Sequence, residues 1–395
     1  MTYDFDSVID FSKSNLLKWE YPSPYLPSST DEAPLPLWIA DMDFQCPIEI
    51  RKALHDSIKQ GIFGYSKASN RLFEAITQWQ WQHHRWPVKE EWIVQSPGVV
   101  NSLSLIIQTF TQLGDEILIQ PPIYSPFYQC ALLNGRQVVT APLVEKELGY
   151  TLDLDVFEAA ITPNTKLFFL CNPHNPTGYV WSKEELTAMG EICLRHGIMV
   201  ISDEIHQDLI LSTDKRYLPF ANICDEFADI CITCTSPSKT FNMAGLQTSN
   251  LFIANKKIRK KLKQTYTCYS LHIPNMLGLV ACEAAYRYGA SWLAELLIYL
   301  RDNRILLQQC FGKFSKVKLF DADALYLGWI DFRNSGIAPE NLQYELLNRA
   351  HLWLDDGIKF GTDYAGFARI NFACSRSTLN TAIQRLNQLI QSERT

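Results

Sequence analysis

Apolar and polar positions alternate along this chain in two different periods. Runs of four or five apolar residues, Leu167–Leu170, Ile198–Ile201 and Ile230–Cys234, are too short for helices and read as strands buried on both faces. Strands are expected on the same grounds at Trp92–Gln95, Glu116–Gln120, Val138–Ala141, Lys166–Cys171, Ile198–Ser202, Asp229–Thr235 and Asn250–Ala254. Helical spacing fills the intervals, from about Val99, from about Ser125, around Asp155–Ile161 and over Lys183–His196. Such alternation predicts an α/β fold with a mostly parallel sheet wrapped by helices. A helix from Pro47 to about Lys59 precedes it, and long helical stretches from Pro274 to Phe314 follow, leading to a smaller C-terminal α+β region. Strands are expected there near Ala324–Asp331 and Phe367–Phe372.

A chain of 395 residues exceeds what one core holds, so two unequal lobes are expected. Residues 1–47, with Pro22, Pro24, Pro27, Pro34 and Pro36, read as an extended arm belonging to the small lobe. Residues 48–285 make the large domain and 286–395 the small one.

Composition narrows the function classes. With 47% hydrophobic and 20% charged residues and no run of apolar residues long enough to span a bilayer, a soluble protein is expected, with no membrane partner. The net charge of -6 offers nothing to nucleic acid. The first eighteen residues carry Asp4, Asp6 and Asp10 and no apolar core of a signal peptide; with eleven cysteines, that points to free thiols in the reducing cytoplasm. Cys231 and Cys234 lie three apart in a strand, on opposite faces, and cannot share a metal. The basic run Lys256–Lys263 reads as a solvated helix face with Ile258 and Leu262 turned inward. His83 and His84 are expected at the surface, no third metal ligand being near, and no metal site is expected anywhere in the chain.

Three segments follow apolar runs and would project from the carboxyl edge of the sheet, where open α/β sheets bind ligands. They are Cys171-Asn172-Pro173-His174-Asn175-Pro176-Thr177-Gly178, Val200-Ile201-Ser202-Asp203-Glu204-Ile205-His206, and Ser236-Pro237-Ser238-Lys239-Thr240-Phe241-Asn242. A lysine at a strand end beside hydroxyl residues can form an imine with pyridoxal 5'-phosphate, which supplies the electron sink that side chains lack.

In that order the three segments resemble the class I/II aminotransferase family, pyridoxal-phosphate enzymes of fold type I, over most of the chain. Leu37-Trp38-Ile39-Ala40-Asp41-Met42-Asp43-Phe44, Phe63-Gly64-Tyr65, Asp203-Glu204-Ile205-His206, Asp355-Asp356-Gly357 and Ala368–Cys374 are similar to the cystathionine β-lyase and cysteine-S-conjugate β-lyase branch. The resemblance implies that Lys239 carries the cofactor and that Asp203 faces its pyridine nitrogen. Asn175 would donate to the phenolic oxygen, with His206 in support where most aminotransferases carry tyrosine, and Tyr124 would stack on the ring. Gly98, Val99 and Val100 at a helix start, with Ser236 and Ser238, would hold the phosphate. Met243–Gln247 lacks the arginine usual in the wider family, so the phosphate site is less cationic. Tyr65 matches the tyrosine that reaches the neighbouring subunit's phosphate, which implies a homodimer. Arg369 would take the substrate's α-carboxylate, and Trp38, Ile39 and Ala40 would close over the substrate.

The reaction implied is α,β-elimination from L-cystathionine or a related cysteine S-conjugate, giving a thiol, pyruvate and ammonia. Two alternatives stay open at this point: transamination of an aromatic or sulfur amino acid, and a regulatory protein-binding module built on the same fold.

Overall fold

A computed structural model describes residues 2–11, 14–20 and 33–392. Pro22, Pro24 and Pro27 of the arm lie outside the described residues. The large sheet has seven strands: β1 (Ile93–Ser96), β2 (Glu116–Ile119), β3 (Gln137–Thr140), β4 (Thr165–Cys171), β5 (Met199–Asp203), β6 (Cys231–Thr235) and β7 (Ser249–Phe252). Their spatial order is β1-β7-β6-β5-β4-β2-β3. Pairing is parallel from β6 through β3, as the alternation predicted, but β7 runs antiparallel to both β6 and β1. The link from β6 to β7 holds only a single helical turn and a 3-10 turn, so the chain turns back beside β6 instead of crossing over.

Side chains along β4 divide by the two-residue period. Leu167, Phe169 and Cys171 join one hydrophobic cluster, and Phe168 and Leu170 join the cluster on the opposite face. Cys231 and Cys234 are likewise split between those clusters, both buried and free. Parallel register aligns Cys171 of β4 with Asp203 of β5, and Asp203 with Cys234 of β6, so three strand ends finish at one level.

The longer helices are α1 (Ile48–Gln60), α2 (Asn70–His84), α3 (Val99–Phe110), α4 (Pro126–Leu133), α5 (Lys183–His196), α6 (Lys256–Cys268), α7 (Met276–Tyr288), α8 (Ala290–Phe311) and α9 (Arg376–Ser392). In α5, Ser182 accepts from the Glu185 N–H at 3.1 Å while Glu185 accepts from the Ser182 N–H at 2.8 Å, a reciprocal cap that fixes its start. Gly197, at φ +66°, ends it. The basic run forms α6, with Leu262 buried and its lysines outward. Helix α2 has no counterpart in the sequence reading. It corrects the placing of His84 at the surface: that side chain is 6% exposed and its Nε2 lies 2.8 Å from Asp208 Oδ1. No helix among the described residues is long and apolar enough to cross a membrane.

The second sheet is antiparallel and comprises β8 (Lys318–Leu319), β9 (Leu327–Asp331), β10 (Asp355–Asp356) and β11 (Phe367–Asn371), in the order β8-β9-β11-β10. The arm packs against it. Leu35–Pro36 pairs in parallel with Leu352–Trp353, the Asp43 N–H donates to the Ala373 carbonyl at 2.9 Å, and buried Lys18 meets Asp43 at 2.7 Å.

Gly178 shows how the Asn-Pro-Thr-Gly turn is tied to the second lobe. Its carbonyl accepts from the N–H groups of Asp323 and Ala324 at 3.0 Å each. Its φ is +69°, and a Cβ there would fall 2.5 Å from Ala322 Cβ. Gly178→Ala is therefore expected to lower stability by about 2–4 kcal/mol, the sum of left-handed strain and overpacking. Urea unfolding of the two proteins checks this.

Candidate active site

A chamber of about 740 Å³ opens at the carboxyl edge of the large sheet, between it and the second sheet. That volume lies within the range of small-molecule sites. Lys239 enters from the single helical turn Pro237–Thr240, which Ser236 caps by accepting from the Ser238 N–H at 3.1 Å. Its Nζ donates to the Ala40 carbonyl at 2.7 Å and lies 3.6 Å from Asp41 Oδ1. Burial pushes the lysine pKa down; Asp41 pulls it back up, while the Arg369 charge lowers it further.

The strap that meets Lys239 is pinned along its length. Asn371 Nδ2 donates to the carbonyls of Ile39 and Asp41 at 2.7 Å each, and Tyr326 donates to the Ala40 carbonyl at 2.8 Å. Asn242 Nδ2 donates to the carbonyls of Met42 and Phe44 at 2.8 and 2.7 Å. Residues distant in sequence thus hold the strap carbonyls where the lysine reaches one of them.

Asp203 ends β5 and is buried, its carboxylate accepting from the Ile205 N–H at 3.2 Å. Burial pushes its carboxyl up to about 7, with Glu204 adding repulsion. Such a group is stabilised by any cation brought to it. Beside it His206 is buried, its Nδ1 has no hydrogen-bond partner, and burial holds its pKa well below the ordinary value. Asn175 accepts from Arg369 Nη1 at 3.1 Å. Arg369 Nη2 donates to the Trp38 carbonyl at 2.9 Å and to Asp355 at 2.7 Å, and the guanidinium carbon lies 4.9 Å from the Phe360 ring centre. Arg369 is 3% exposed, and its Nε is buried without a partner.

Tyr124 also lines the chamber, its phenol pushed up to about 12 by burial. Gly98, Val99 and Val100 form the N-terminal end of α3 at one end of the chamber. Nothing lies within 4 Å of the position a Gly98 Cβ would take, so the chain borders open space just before α3 begins, and the first N–H groups of a helix have no partner within it. Ser236, Ser238, Ala244, Gln247 and Thr248 also line the chamber, with no cationic side chain among them.

Of the residues singled out from the sequence, Trp38, Ile39, Ala40, Gly98, Val99, Val100, Tyr124, Asn175, Asp203, His206, Ser236, Ser238, Lys239 and Arg369 all line this one chamber. Tyr65 does not. It is 96% exposed, in a shallow surface depression with Phe63 and Ile273. Sequence reasoning missed Asp41, Asp355 and Lys359 as chamber residues and Tyr326 as a support of the strap. Asp355 stood in a segment quoted for its resemblance but was given no role.

The sequence profile of the family described as "Aminotransferase class I and II" matches residues 34–386, and the chain belongs to that family. It is 42% identical over 354 residues to the cystathionine beta-lyase PatB of Bacillus subtilis, covering 89% of this chain and 91% of the relative. Among solved structures, cystalysin from Treponema denticola, described as containing a pyridoxal 5'-phosphate cofactor, superposes with a TM-score of 0.95 at 32% identity, over 99% of this chain and 100% of that one. The PLP-bound C-S lyase from Staphylococcus hominis gives 0.91 at 31% identity, over 99% and 98% of the two chains.

The raised Asp203 carboxyl has a consequence for stability. Its pKa goes from 3.8 to about 7 on folding, so the folded chain holds this proton more tightly than the unfolded one. Stability from this group is complete below the lower value and is lost as pH rises through the upper one. In protein stripped of bound small molecules, Asp203→Asn is expected to remove that slope. Urea midpoints measured between about pH 4 and 8 test it.

Proposed function

We propose that this protein is a pyridoxal 5'-phosphate-dependent carbon–sulfur β-lyase that cleaves L-cystathionine or related cysteine S-conjugates to a thiol, pyruvate and ammonia. The observation that carries the reading is the convergence of Lys239, Asp203, Asn175 and Arg369 on one chamber. The residues fit the cofactor on physical grounds: a buried carboxyl that accepts from the Ile205 N–H awaits a cation, an orphaned His206 Nδ1 awaits a partner, and Gly98, just before a helix start, borders open space. The close likeness to PatB supports the lyase reaction over transamination.

When bound through Lys239, the cofactor supplies an electron sink for negative charge developing at the substrate's Cα. Asp203 would keep the ring nitrogen protonated, Tyr124 would cover a ring face, and Asn175 and His206 would meet the phenolic oxygen. The N–H groups of Val99 and Val100, with Ser236 and Ser238, would hold the phosphate. Arg369 fixes the α-carboxylate, and Trp38, Ile39 and Ala40 roof the substrate. Once the substrate's amine has displaced Lys239 from the cofactor, the lowered pKa of the lysine would suit its freed amine to take the proton from Cα. Asp41 and the Ala40 carbonyl then receive the resulting ammonium. With that proton gone a thiolate leaves from Cβ, and the enamine that remains hydrolyses to pyruvate and ammonia. From L-cystathionine the thiol is homocysteine, a precursor in methionine biosynthesis.

The lobe division at 47/48 and 285/286 belongs to this proposal, since Arg369 comes from one side and Lys239 from the other. So do a cytoplasmic location, which the free cysteines support, and a homodimer. Ile58, Ile62, Phe63, Tyr65, Tyr269 and Ile273 are large, exposed and near one another in sequence on two segments, the composition of a subunit contact. In such a dimer Tyr65 would complete the partner's phosphate site.

Pyruvate and thiol release from L-cystathionine tests the activity; turnover that requires a keto acid and releases no thiol would sink it. Lys239→Ala is expected to lower kcat by at least about 10³-fold, through loss of the covalent anchor and the base. Arg369→Gln should lower kcat/KM by about 10²-fold, the order of one or two charge-assisted hydrogen bonds. Mixing Tyr65→Ala with Lys239→Ala chains should recover activity, because each hybrid dimer holds one intact site.

A further inference from the structure

Arg369 is one of two cations that share a single carboxylate. Asp355 Oδ2 accepts from Arg369 Nη2 at 2.7 Å, and Asp355 Oδ1 accepts from Lys359 Nζ at 2.9 Å. Strand register fixes this geometry, because Asp355 and Arg369 are direct cross-strand partners of β10 and β11. Lys359 follows Asp355 by four residues on a 3-10 turn, and its Nζ lies 5.5 Å from the centre of the Trp38 ring, which stacks on Trp353 at 4.9 Å. The lysine side chain is 46% exposed and lines the chamber, against 3% for the arginine side chain.

Both Nη2 protons of Arg369 are engaged, by the Trp38 carbonyl and Asp355, and Nη1 donates to Asn175. A carboxylate gripped by two parallel N–H bonds needs one Nη2 proton together with a neighbouring N–H. The unpartnered Nε is one such neighbour. An incoming α-carboxylate therefore competes for Nη2 with these two acceptors, of which Asp355 has a second cation, Lys359, to turn to. Arginine, lysine and aspartate together carry one positive charge, which one substrate carboxylate neutralises.

We propose that Asp355 is an internal substitute for the substrate carboxylate, and that Lys359 is a positioning residue that takes over Asp355 when the substrate binds. The lysine keeps the aspartate from being left buried without a counter-charge, and so frees the arginine for the ligand. Without Lys359, Asp355 would remain on Arg369 and the substrate would have to break that pair. This proposal rests on Arg369 receiving the α-carboxylate.

The test compares Lys359→Met, Asp355→Asn and the double variant as holoenzymes. L-Alanine, which has no leaving group on Cβ, probes binding by calorimetry, and L-cystathionine gives KM and kcat. Lys359→Met is expected to raise the L-alanine Kd and the KM by about tenfold, the order of one charge-assisted contact, with kcat little changed. Adding Asp355→Asn should abolish that penalty, because the neutral amide no longer holds the arginine. Unchanged binding in Lys359→Met would overturn the proposal. So would a double variant that keeps the whole tenfold loss, since Lys359 would then act on the ligand without Asp355. Unchanged L-alanine binding in Arg369→Gln would instead remove the carboxylate assignment beneath it, whereas damage there beside a normal Lys359→Met sinks only the present inference.

Discussion

The guanidinium of Arg369 is the point at which three parts of the chain are held against each other. It is buried and donates to Asn175 from the large sheet, to the Trp38 carbonyl from the arm and to Asp355 from the second sheet. A charge taken out of water at that depth is tolerated only with several acceptors in place. The strap carbonyls, the Asn-Pro-Thr-Gly turn and β10 must therefore sit where they do for the arginine to be buried at all. The distance between Lys239 and the roof of the chamber follows from the same constraint, since the strap that meets Arg369 at Trp38 meets Lys239 at Ala40.

Burial then sets the chemistry of the two groups facing across the chamber. It lifts the Asp203 carboxyl and depresses the Lys239 ammonium, so each charge is costly until a partner arrives. These are the conditions under which a carboxylate seeks a cationic ring and an amine is ready to take a proton. Asp41, partly exposed, moderates the lysine; the Arg369 charge works against that moderation.

How much of this was legible in the sequence depended on whether the signal was local. Asn175, Asp203 and Lys239 each come a few residues after, or at the end of, a short apolar run, so strand ends and motifs coincide and the carboxyl edge could be read directly. Lys183–His196 was read to the residue, and in the structure Ser182, Glu185 and Gly197 mark its ends. The direction of β7 was not legible, since an apolar run carries no arrow and the turn-back is a property of the short link before it. Helix α2 had its signal in Leu72, Ala75, Ile76 and Trp79, all on one face, and it went unread. His84 was misplaced with it. Asp355 and Tyr326 were beyond local reading, because their contacts arise from strand pairing and from a strap nearly three hundred residues away.

The contact from Arg369 to the Trp38 carbonyl spans 331 residues of sequence. A ribosome must therefore have passed residue 369 before the strap can be joined to the second sheet at this point. A nascent chain that stops short of Arg369 would hold Lys239 but lack this joint between the strap and the second sheet. Closing so large a loop late also places this joint among the slower contacts to form as the newborn chain matures.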